Sequence, residues 1–320
     1  MARGARAPRE VLGAERTCRL FRGALRAPEV LRELPAAGVS VSPRAFASGG
    51  GELFLERVAA AGNPHAQYLL GMVRFYCQAQ YTAGRELLYA AGNAGHTEAL
   101  YALAVIEFNG SSGARTDKCI KSAVLLCIAA CERGHQRALQ ELGLCMSRGY
   151  GMPRDREVGR RMLLLANKND ADFAEQYGCI RAPPPGNEFL TMWWKTHSQP
   201  DHRRLCSNPQ CGRLETRKHE FRRCTICNAA YYCSFSCQTV HWKNGHSQEC
   251  EGDVSSPDVS SPDAPEEHLA MLQQAASLLP QGEDEGSGGD AVDAGGAGGA
   301  GEGGGGAQPD IEPEGGGGVA

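Results

Sequence analysis

Three segments of this chain repeat one another, and this repetition constrains its fold more than any other feature. The segments begin at glycines, read GNPHAQYLLGM, GHTEALYALAV and GHQRALQELGL, and align without gaps at offsets of 33 and 39 residues from Gly62, Gly95 and Gly134. An anchor that recurs at such a period is typical of a helical solenoid, whose helix pairs cannot bury their apolar faces alone. The sequence therefore predicts helix-pair repeats over residues 51–169, with an unrelated helical bundle of chance self-similarity as the alternative.

The matching positions indicate how the units pack. A small residue recurs where two helices would cross closely, at Ala66, Ala99 and Ala138. The three anchor glycines are expected in turns, where a glycine tolerates positive φ after the preceding helix. The stretches Leu87–His96 and Leu126–His135 would supply the partner helices, and residues 149–167 add a closing half-repeat.

This pattern resembles the SLR family of tetratricopeptide-like helix-pair repeats. Two positions depart from the family pattern: Asn63 stands where the first unit should have His, and Ala104 stands where the second should have Gly. The resemblance implies a mainly α protein, an α-solenoid with a protein-binding or scaffold role and no catalysis.

A second constraint lies between Cys206 and Cys250, where eight potential metal ligands fall within 45 residues. They form four pairs: Cys206-x4-Cys211, Cys224-x2-Cys227, Cys233-x3-Cys237 and His246-x3-Cys250. Zinc takes four thiolate or imidazole ligands, so eight ligands make two complete sets with no open position for a catalytic water. The segment has few aliphatic residues, and metal binding would supply its folding energy, about 10–16 kcal/mol per site. We therefore expect two structural Zn²⁺ ions, with disulfides as the alternative.

The position of the histidine, seventh among the eight ligands, distinguishes this module from other zinc fingers. The run YYCSFSCQTVHWKNGHSQEC, Tyr231–Cys250, resembles the MYND zinc finger. The resemblance implies interleaved sites: one zinc bound by Cys206, Cys211, Cys233 and Cys237, the other by Cys224, Cys227, His246 and Cys250. From the residues alone the pairing is open, and His241 is an alternative to His246.

MYND fingers are known as interaction modules that grip proline-containing peptides beside a small hairpin. Carried over by position, this implies peptide contacts at Thr225, Gln238 and Trp242. Thr225 stands where a close relative has Ser, and Trp242 is equally well explained as a core residue.

The N-terminal segment suggests a specific role. RTCRLFRGAL, Arg16–Leu25, resembles the closing part of an F-box, although the expected Leu-Pro opening is absent, so we interpret residues 1–45 as a partial F-box-like segment. Repeats followed by a MYND finger resemble a group of plant F-box proteins, which implies a Skp-type adaptor as partner and substrate recruitment to a cullin ubiquitin ligase. The alternatives are a MYND-mediated recruiter of transcriptional corepressors and a lysine methyltransferase, for which no SET-like segment is visible. We expect an interaction protein rather than an enzyme.

Composition separates the body of the chain from a tail. Residues 251–320 hold 18 of the 41 glycines and 15 of the 37 acidic residues but no Lys or Arg, so a disordered tail is expected. The remaining body is basic, but its positive residues are scattered and not interleaved with aromatics, and metal binding nearly neutralises the finger, so direct nucleic-acid binding is not favoured. Residues 170–205 are interpreted as a linker.

The cysteines outside the finger indicate a compartment. They are spread singly through apolar sequence, as reduced buried thiols are, which favours an intracellular protein of the nucleus or cytoplasm. The longest apolar run, Ala123–Cys131, is far shorter than the ~20 residues that span a bilayer, so no membrane partner is expected.

Overall fold

The structure, a computed structural model, describes residues 27–177, 181–199 and 203–250. The F-box-like motif Arg16–Leu25 and the acidic tail 251–320 lie outside the described residues. No helix within the described ranges is both long and apolar enough to cross a membrane.

Helices account for nearly all the regular structure before the finger. Three short helices come first: α1 (Pro28–Arg32), α2 (Ala36–Val39) and α3 (Pro43–Ala47). Three helix pairs follow: α4 (Gly50–Ala60) with α5 (Pro64–Tyr76), α6 (Tyr81–Asn93) with α7 (Thr97–Asn109), and α8 (Ile120–Cys131) with α9 (Gln136–Arg148). Two more helices precede the finger: α10 (Arg156–Tyr177), which packs on α9, and α11 (Pro185–Thr196).

The finger adds a hairpin and a short helix. Its elements are β1 (Arg222–Arg223), β2 (Tyr231–Tyr232), α12 (Phe235–His241), a π-helical turn (Trp242–His246) and α13 (Ser247–Glu249). The two strands pair antiparallel, with Arg222 opposite Tyr232 and Arg223 opposite Tyr231.

The predicted turn glycines and small crossing residues are confirmed. The anchor glycines have φ values of 86°, 86° and 79° at Gly62, Gly95 and Gly134. The recurring alanines are fully buried at Ala66, Ala99 and Ala138. At Gly84 a Cβ atom would lie 2.8 Å from the backbone nitrogen of Phe75 and 2.9 Å from the carbonyl oxygen of Gly71, so the close crossing of α5 and α6 requires a residue without a side chain.

Each second helix of a pair is capped by the residue after its anchor glycine. The N–H groups of Ala99 and Ala138 donate to Nδ1 of His96 and His135 at 3.3 and 3.0 Å. In the first unit the N–H of Ala66 donates to Oδ1 of Asn63 at 3.0 Å. The departure at Asn63 therefore preserves the acceptor that an N-cap needs.

The amide of Asn63 also explains why the first unit differs. Its Nδ2 donates to the carbonyl oxygens of Leu31, Arg32 and Leu34 at 3.0, 3.0 and 2.8 Å. An imidazole has one N–H left after capping, whereas a primary amide has two donors that can satisfy several carbonyls at once. Asn63 thus ties the end of α1 to the repeats.

The segment interpreted as a linker contains a packed helix. Phe189 and Leu190 of α11 are buried, and the Phe189 ring meets Phe46 edge-on with centroids 5.6 Å apart. Trp193, one turn further on, stacks on Phe189 at 5.9 Å. This helical spacing of apolar residues places α11 against α5 and α3.

The unequal repeat offsets have a structural origin. Four residues, 77–80, join α5 to α6, whereas ten residues, 110–119, join α7 to α8. The longer connection accounts for the six-residue difference between the offsets of 39 and 33, and it contains the 3₁₀ turn Arg115–Asp117.

We predict that Asn63→Ala lowers the free energy of unfolding by about 2–4 kcal/mol, because it removes an N-cap and leaves buried carbonyl groups without a donor. Urea unfolding followed by circular dichroism measures this. Ser42→Ala is the matched control, since Ser42 caps the short α3 through the N–H of Ala45 but makes no such second set of bonds. An equal effect of the two substitutions would contradict the structural role of the amide.

His96 makes stability depend on pH. Burial, with His65 next, lowers the pKa of His96 to about 4, while Glu98 opposes and His135 adds to the shift. The neutral ring accepts from Ala99 through Nδ1, and its Nε2 lies 3.1 Å from Nδ1 of His65. Since the unfolded chain takes up this proton near pH 6.5, the stabilisation is present above that pH and is lost as the pH falls towards 4.

We expect the stability of the wild-type chain to fall more steeply between pH 6.5 and 4 than that of His96→Asn, which keeps a capping acceptor without a titrating ring. Thermal midpoints measured across this range in both proteins give the comparison. Both carry the same metal ligands, so parallel curves would exclude a contribution from His96.

Candidate metal centre and its interface with the repeats

The first cluster of sulfur ligands forms where two parts of the finger meet. Cys206 and Cys211 lie in a loop closed by a bridge between Leu205 and Leu214, while Cys233 follows β2 and Cys237 lies in the first turn of α12. The Sγ atom of Cys233 is 3.5 Å from that of Cys211 and 3.6 Å from that of Cys237. All four side chains are buried.

The second cluster lies at the other end of the hairpin. Cys224 and Cys227 lie on the turn between β1 and β2, where the N–H of Cys224 donates to the carbonyl of Ala230 at 2.8 Å. The Sγ atom of Cys224 is 3.8 Å from that of Cys250, and the Sγ atom of Cys227 is 3.7 Å from Nε2 of His246. Cys227 and Cys250 are partly exposed.

Both clusters have the dimensions of a zinc site. In each set the four ligand atoms lie within 4.8 Å of one another. A tetrahedron with Zn–S bonds of about 2.3 Å separates its sulfur atoms by about 3.8 Å, close to the distances observed. Thiolate and imidazole donors are also those that zinc prefers. The finger therefore contains two clusters that can each hold a zinc ion, grouped as the MYND resemblance implied.

His241, the alternative ligand, lies outside both clusters. Its Nδ1 is 3.1 Å from the hydroxyl of Tyr232, and its ring stacks on His246 with centroids 4.9 Å apart. Trp242 meets the His246 ring edge-on at 5.8 Å. These aromatic contacts surround His246, which is 7% exposed.

The three candidate peptide contacts differ in accessibility. Thr225 is exposed on the turn between the strands, and Trp242 is half-buried. Gln238 is only 4% exposed on α12, so its side chain offers little surface to a peptide. The structure thus does not bring the three together on one accessible surface.

The helix of the finger begins against a carboxylate from the repeats. The N–H groups of Phe235 and Ser236 donate to Oε1 and Oε2 of Glu141 at 3.1 and 2.8 Å. The first N–H groups of a helix have no intrahelical acceptor, and a negative charge there is favourable. Burial raises the pKa of Glu141, while these two N–H groups oppose the shift.

Further polar contacts surround this joint. The hydroxyl of Ser236 donates to Oε1 of Gln140 at 2.7 Å, and the hydroxyls of Tyr101 and Ser234 are 3.2 Å apart. Ser234 in turn caps α12 by accepting from the N–H of Cys237 at 3.0 Å. The cap that presents this zinc ligand is therefore itself bonded to the repeats.

Two asparagines hold the backbone of the first cluster. Asn109 at the end of α7 donates to the carbonyl of Cys233 at 2.8 Å, and Asn187 of α11 donates to that of Cys211 at 2.7 Å. Both amides are buried. Elements far apart in sequence thus position one metal cluster.

The longer connection between α7 and α8, residues 110–119, contacts the finger. Nη1 and Nη2 of Arg217 donate to the carbonyls of Gly110 and Asn109, each at 2.6 Å. The N–H of Ser112 donates to Oγ1 of Thr216 at 2.7 Å, and the hydroxyl of Ser111 bonds to Glu220. The longer connection between α7 and α8 is therefore a docking segment.

An apolar core continues across the same boundary. It joins residues of α7, α8 and α9 to the hairpin and to the ligands themselves, including Tyr101, Phe108, Val124, Cys127, Phe221, Tyr232 and Cys237. Burial raises the pKa of the Cys127 and Cys145 thiols, so these two remain protonated core residues. The expectation of buried thiols does not hold for the other cysteines described outside the finger, since Cys119 is exposed and Cys77 and Cys131 are half-buried. No disulfide joins cysteines within the described ranges.

Comparisons with known proteins agree with both halves of this architecture. The MYND finger family matches residues 206–250, and the family of plant tetratricopeptide repeats matches residues 41–141. F-box protein At1g67340 of Arabidopsis thaliana is 36% identical over 284 residues, which cover 77% of this chain and 75% of the relative. F-box protein At5g50450 of the same plant is 37% identical over 270 residues, covering 78% and 80%. This chain belongs to the family of these F-box proteins.

Two solved structures share a weaker similarity with this MYND-finger member of the F-box protein family. A Sel1 repeat protein from Oxalobacter formigenes is 18% identical with a TM-score of 0.33, over 39% of this chain and 94% of that chain. The protective antigen c5321 of uropathogenic Escherichia coli, which has an SLR fold, is 16% identical with a TM-score of 0.36, over 55% and 39%. Scores this low support no argument about function.

The residues that join the repeats of this F-box-family protein to its finger were not among those predicted from the sequence. Gln140 stands where the earlier units have Tyr68 and Tyr101, and Glu141 stands where they have Leu69 and Ala102. A charged residue at an otherwise apolar repeat position is the signal that could have identified this joint.

We predict that removing zinc with a strong chelator destabilises the repeats of this F-box-family protein as well as its finger, because the two share one core and a buried polar joint. Helical circular dichroism should fall by more than the short α12 and α13 can account for, and the remaining helix should melt at a lower temperature. Adding excess zinc should restore both. An unchanged melting profile of the helices would show that the repeats are independent of the metal.

Proposed function

We propose that this protein is a zinc-dependent scaffold that recruits client proteins to a Skp–cullin–F-box ubiquitin ligase. The similarity to two F-box proteins over more than three quarters of the chain carries this proposal. Repeats and a MYND finger supply interaction surfaces, and the eight cysteine and histidine residues of the two clusters would bind two structural zinc ions.

The N-terminal helices support a link between the adaptor-binding segment and the client-binding unit. Leu31 and Leu34 are almost fully buried, and Phe46 of α3 belongs to the same apolar core as α4 and α5. The F-box-like motif Arg16–Leu25 precedes these packed helices directly. An adaptor bound at that motif would lie next to a segment that is anchored in the repeats by Asn63.

We place the binding site for a client peptide at the hairpin of the finger. Pairing of Arg223 with Tyr231 leaves their backbone N–H and C=O groups pointing away from each other, as alternate pairs in an antiparallel ladder do. The carbonyl of Tyr231 accepts from the N–H of Ser207 at 2.7 Å, and the N–H of Tyr231 donates to the hydroxyl oxygen of Ser207 at 2.8 Å. Arg223 on β1 is exposed, so β1 is the edge at which an extended proline-containing peptide would add as a strand, beside Thr225.

The test is a pulldown of the zinc-loaded full-length chain with a purified Skp-type adaptor. We expect the wild-type chain to retain the adaptor, and deletion of residues 1–26 to abolish retention while leaving α1–α3 packed. A deletion to residue 45 would be ambiguous, because it would remove Leu31, Leu34 and Val39 from the core.

Point variants make the test independent of the deletion. Phe21→Asp in the F-box-like motif should lose the adaptor, whereas Leu125→Asp, at a side chain 65% exposed on α8, should retain it. Failure of the zinc-loaded wild-type chain to bind would contradict the ligase role and leave recruitment of partners through the MYND finger, as in the corepressor alternative.

A further inference from the structure

The two proposed zinc sites carry different charges. Four thiolates around Zn²⁺ leave two negative charges, whereas three thiolates and a neutral imidazole leave one. The more highly charged set is also the more deeply buried, since its four cysteines are at most 6% exposed. Burying charge away from water costs several kcal/mol per ion unless an opposite charge or donor compensates it.

Arg213 lies where such compensation is needed. Its side chain is 1% exposed, and its Nη1 donates to Sγ of Cys211 at 3.6 Å. Its Cζ lies 5.9 Å from the ring centroid of Tyr101 in the repeats. The guanidinium is therefore buried between the first cluster and α7.

No carboxylate of the described residues forms a direct ion pair with this arginine. Within the described ranges no Asp or Glu lies within 4.0 Å of its nitrogen atoms, and its buried Nε has no hydrogen-bond partner. Sγ of Cys211 is the group in direct contact with this buried cation, whereas the carboxylate of Glu98 interacts with it from beyond 4.0 Å. The second cluster has partly exposed ligands at Cys227 and Cys250 instead, so water can solvate its charge.

We propose that Arg213 is a positioning residue that balances the charge of the Cys206, Cys211, Cys233 and Cys237 site and so raises zinc affinity at that site alone. The inference rests on the proposed zinc ligation. Outer-shell partners of metal ligands typically change metal affinity by about 10–100-fold, which sets the expected effect.

A packing role is the competing explanation. The carbonyl of Arg213 accepts from the N–H of Cys206 at 2.9 Å, a bond that any side chain allows, and the long side chain fills space against Tyr101. Arg213→Met keeps much of that volume without the charge, and Arg213→Lys keeps the charge without the planar guanidinium. The pair therefore separates charge from packing.

The experiment measures metal affinity in the full-length chain. Co²⁺ replaces zinc, and the thiolate-to-cobalt charge-transfer absorption, which is stronger for four thiolates than for three, distinguishes the two sites during competition with a chelator. Native mass spectrometry of the wild-type chain first establishes whether two zinc ions bind, so failure of the proposed ligation is recognised separately. Lys218→Met, at an exposed residue between Cys211 and β1, is the matched control.

We expect Arg213→Met to lower affinity at the four-thiolate site by about 10–100-fold, with the other site unchanged, Arg213→Lys to retain most of the affinity, and Lys218→Met to match the wild type. Unchanged affinity in Arg213→Met would overturn the proposal, as would an equal loss at both sites. If the methionine variant does not fold, the lysine variant decides: near-wild-type metal retention supports a charge effect, and loss of the four-thiolate signal overturns it.

Discussion

Glu141 is buried where a repeat helix meets the finger, and its carboxylate is satisfied there by the two N–H groups that begin α12. A buried carboxylate without partners would be strongly destabilising, and these partners exist only when the finger is folded. A small finger with so little apolar sequence depends in turn on metal for its folding. Metal binding, folding of the finger and stability of the third repeat are therefore thermodynamically coupled, and the finger is not an independent module joined by a flexible linker.

The finger packs along the second helices of the repeats, while α10 packs on α9 beyond the third unit. In a repeat stack each unit contacts only its neighbours, so a surface that binds another domain needs residues that depart from the repeat pattern. The third unit departs in this way, since Gln140 and Glu141 replace an aromatic and an apolar residue and bond to the finger. Arg213 reaches further back, to Tyr101 of the second unit, so the finger overlaps two repeats rather than touching only the last.

The repeats and the ligand pairs could be predicted because each is defined by residues at a regular, short spacing in the sequence. Turn glycines, buried alanines and the interleaved cysteine clusters all lie where the repeat pattern and the family resemblance placed them. Contacts between Asn109 and Cys233, or between Asn187 and Cys211, join residues of different elements and leave no periodic trace. The interpretation of residues 170–205 as a linker overlooked α11, although its apolar residues Phe189, Leu190 and Trp193 follow helical spacing.

Positions at which the repeats differ from one another are the positions at which each unit contacts a different neighbour. One capping position is filled by Asn63, His96 and His135, and each accepts from the backbone N–H three residues further along the chain. The other side of each cap faces a different neighbour: three carbonyls at and just after the end of α1 for Asn63, the ring of His65 for His96, and Glu98 at 3.2 Å for His135.

The same logic limits where a client can bind the finger. One face of α12 is already committed to α9 and leaves Gln238 almost inaccessible. The β1 edge at Arg223 and the turn carrying Thr225 are exposed, and they lie on the part of the hairpin that the repeats do not cover. A helix face that is needed for folding cannot also be given to a transient partner, so the client site proposed above is placed on the β1 edge and not on α12.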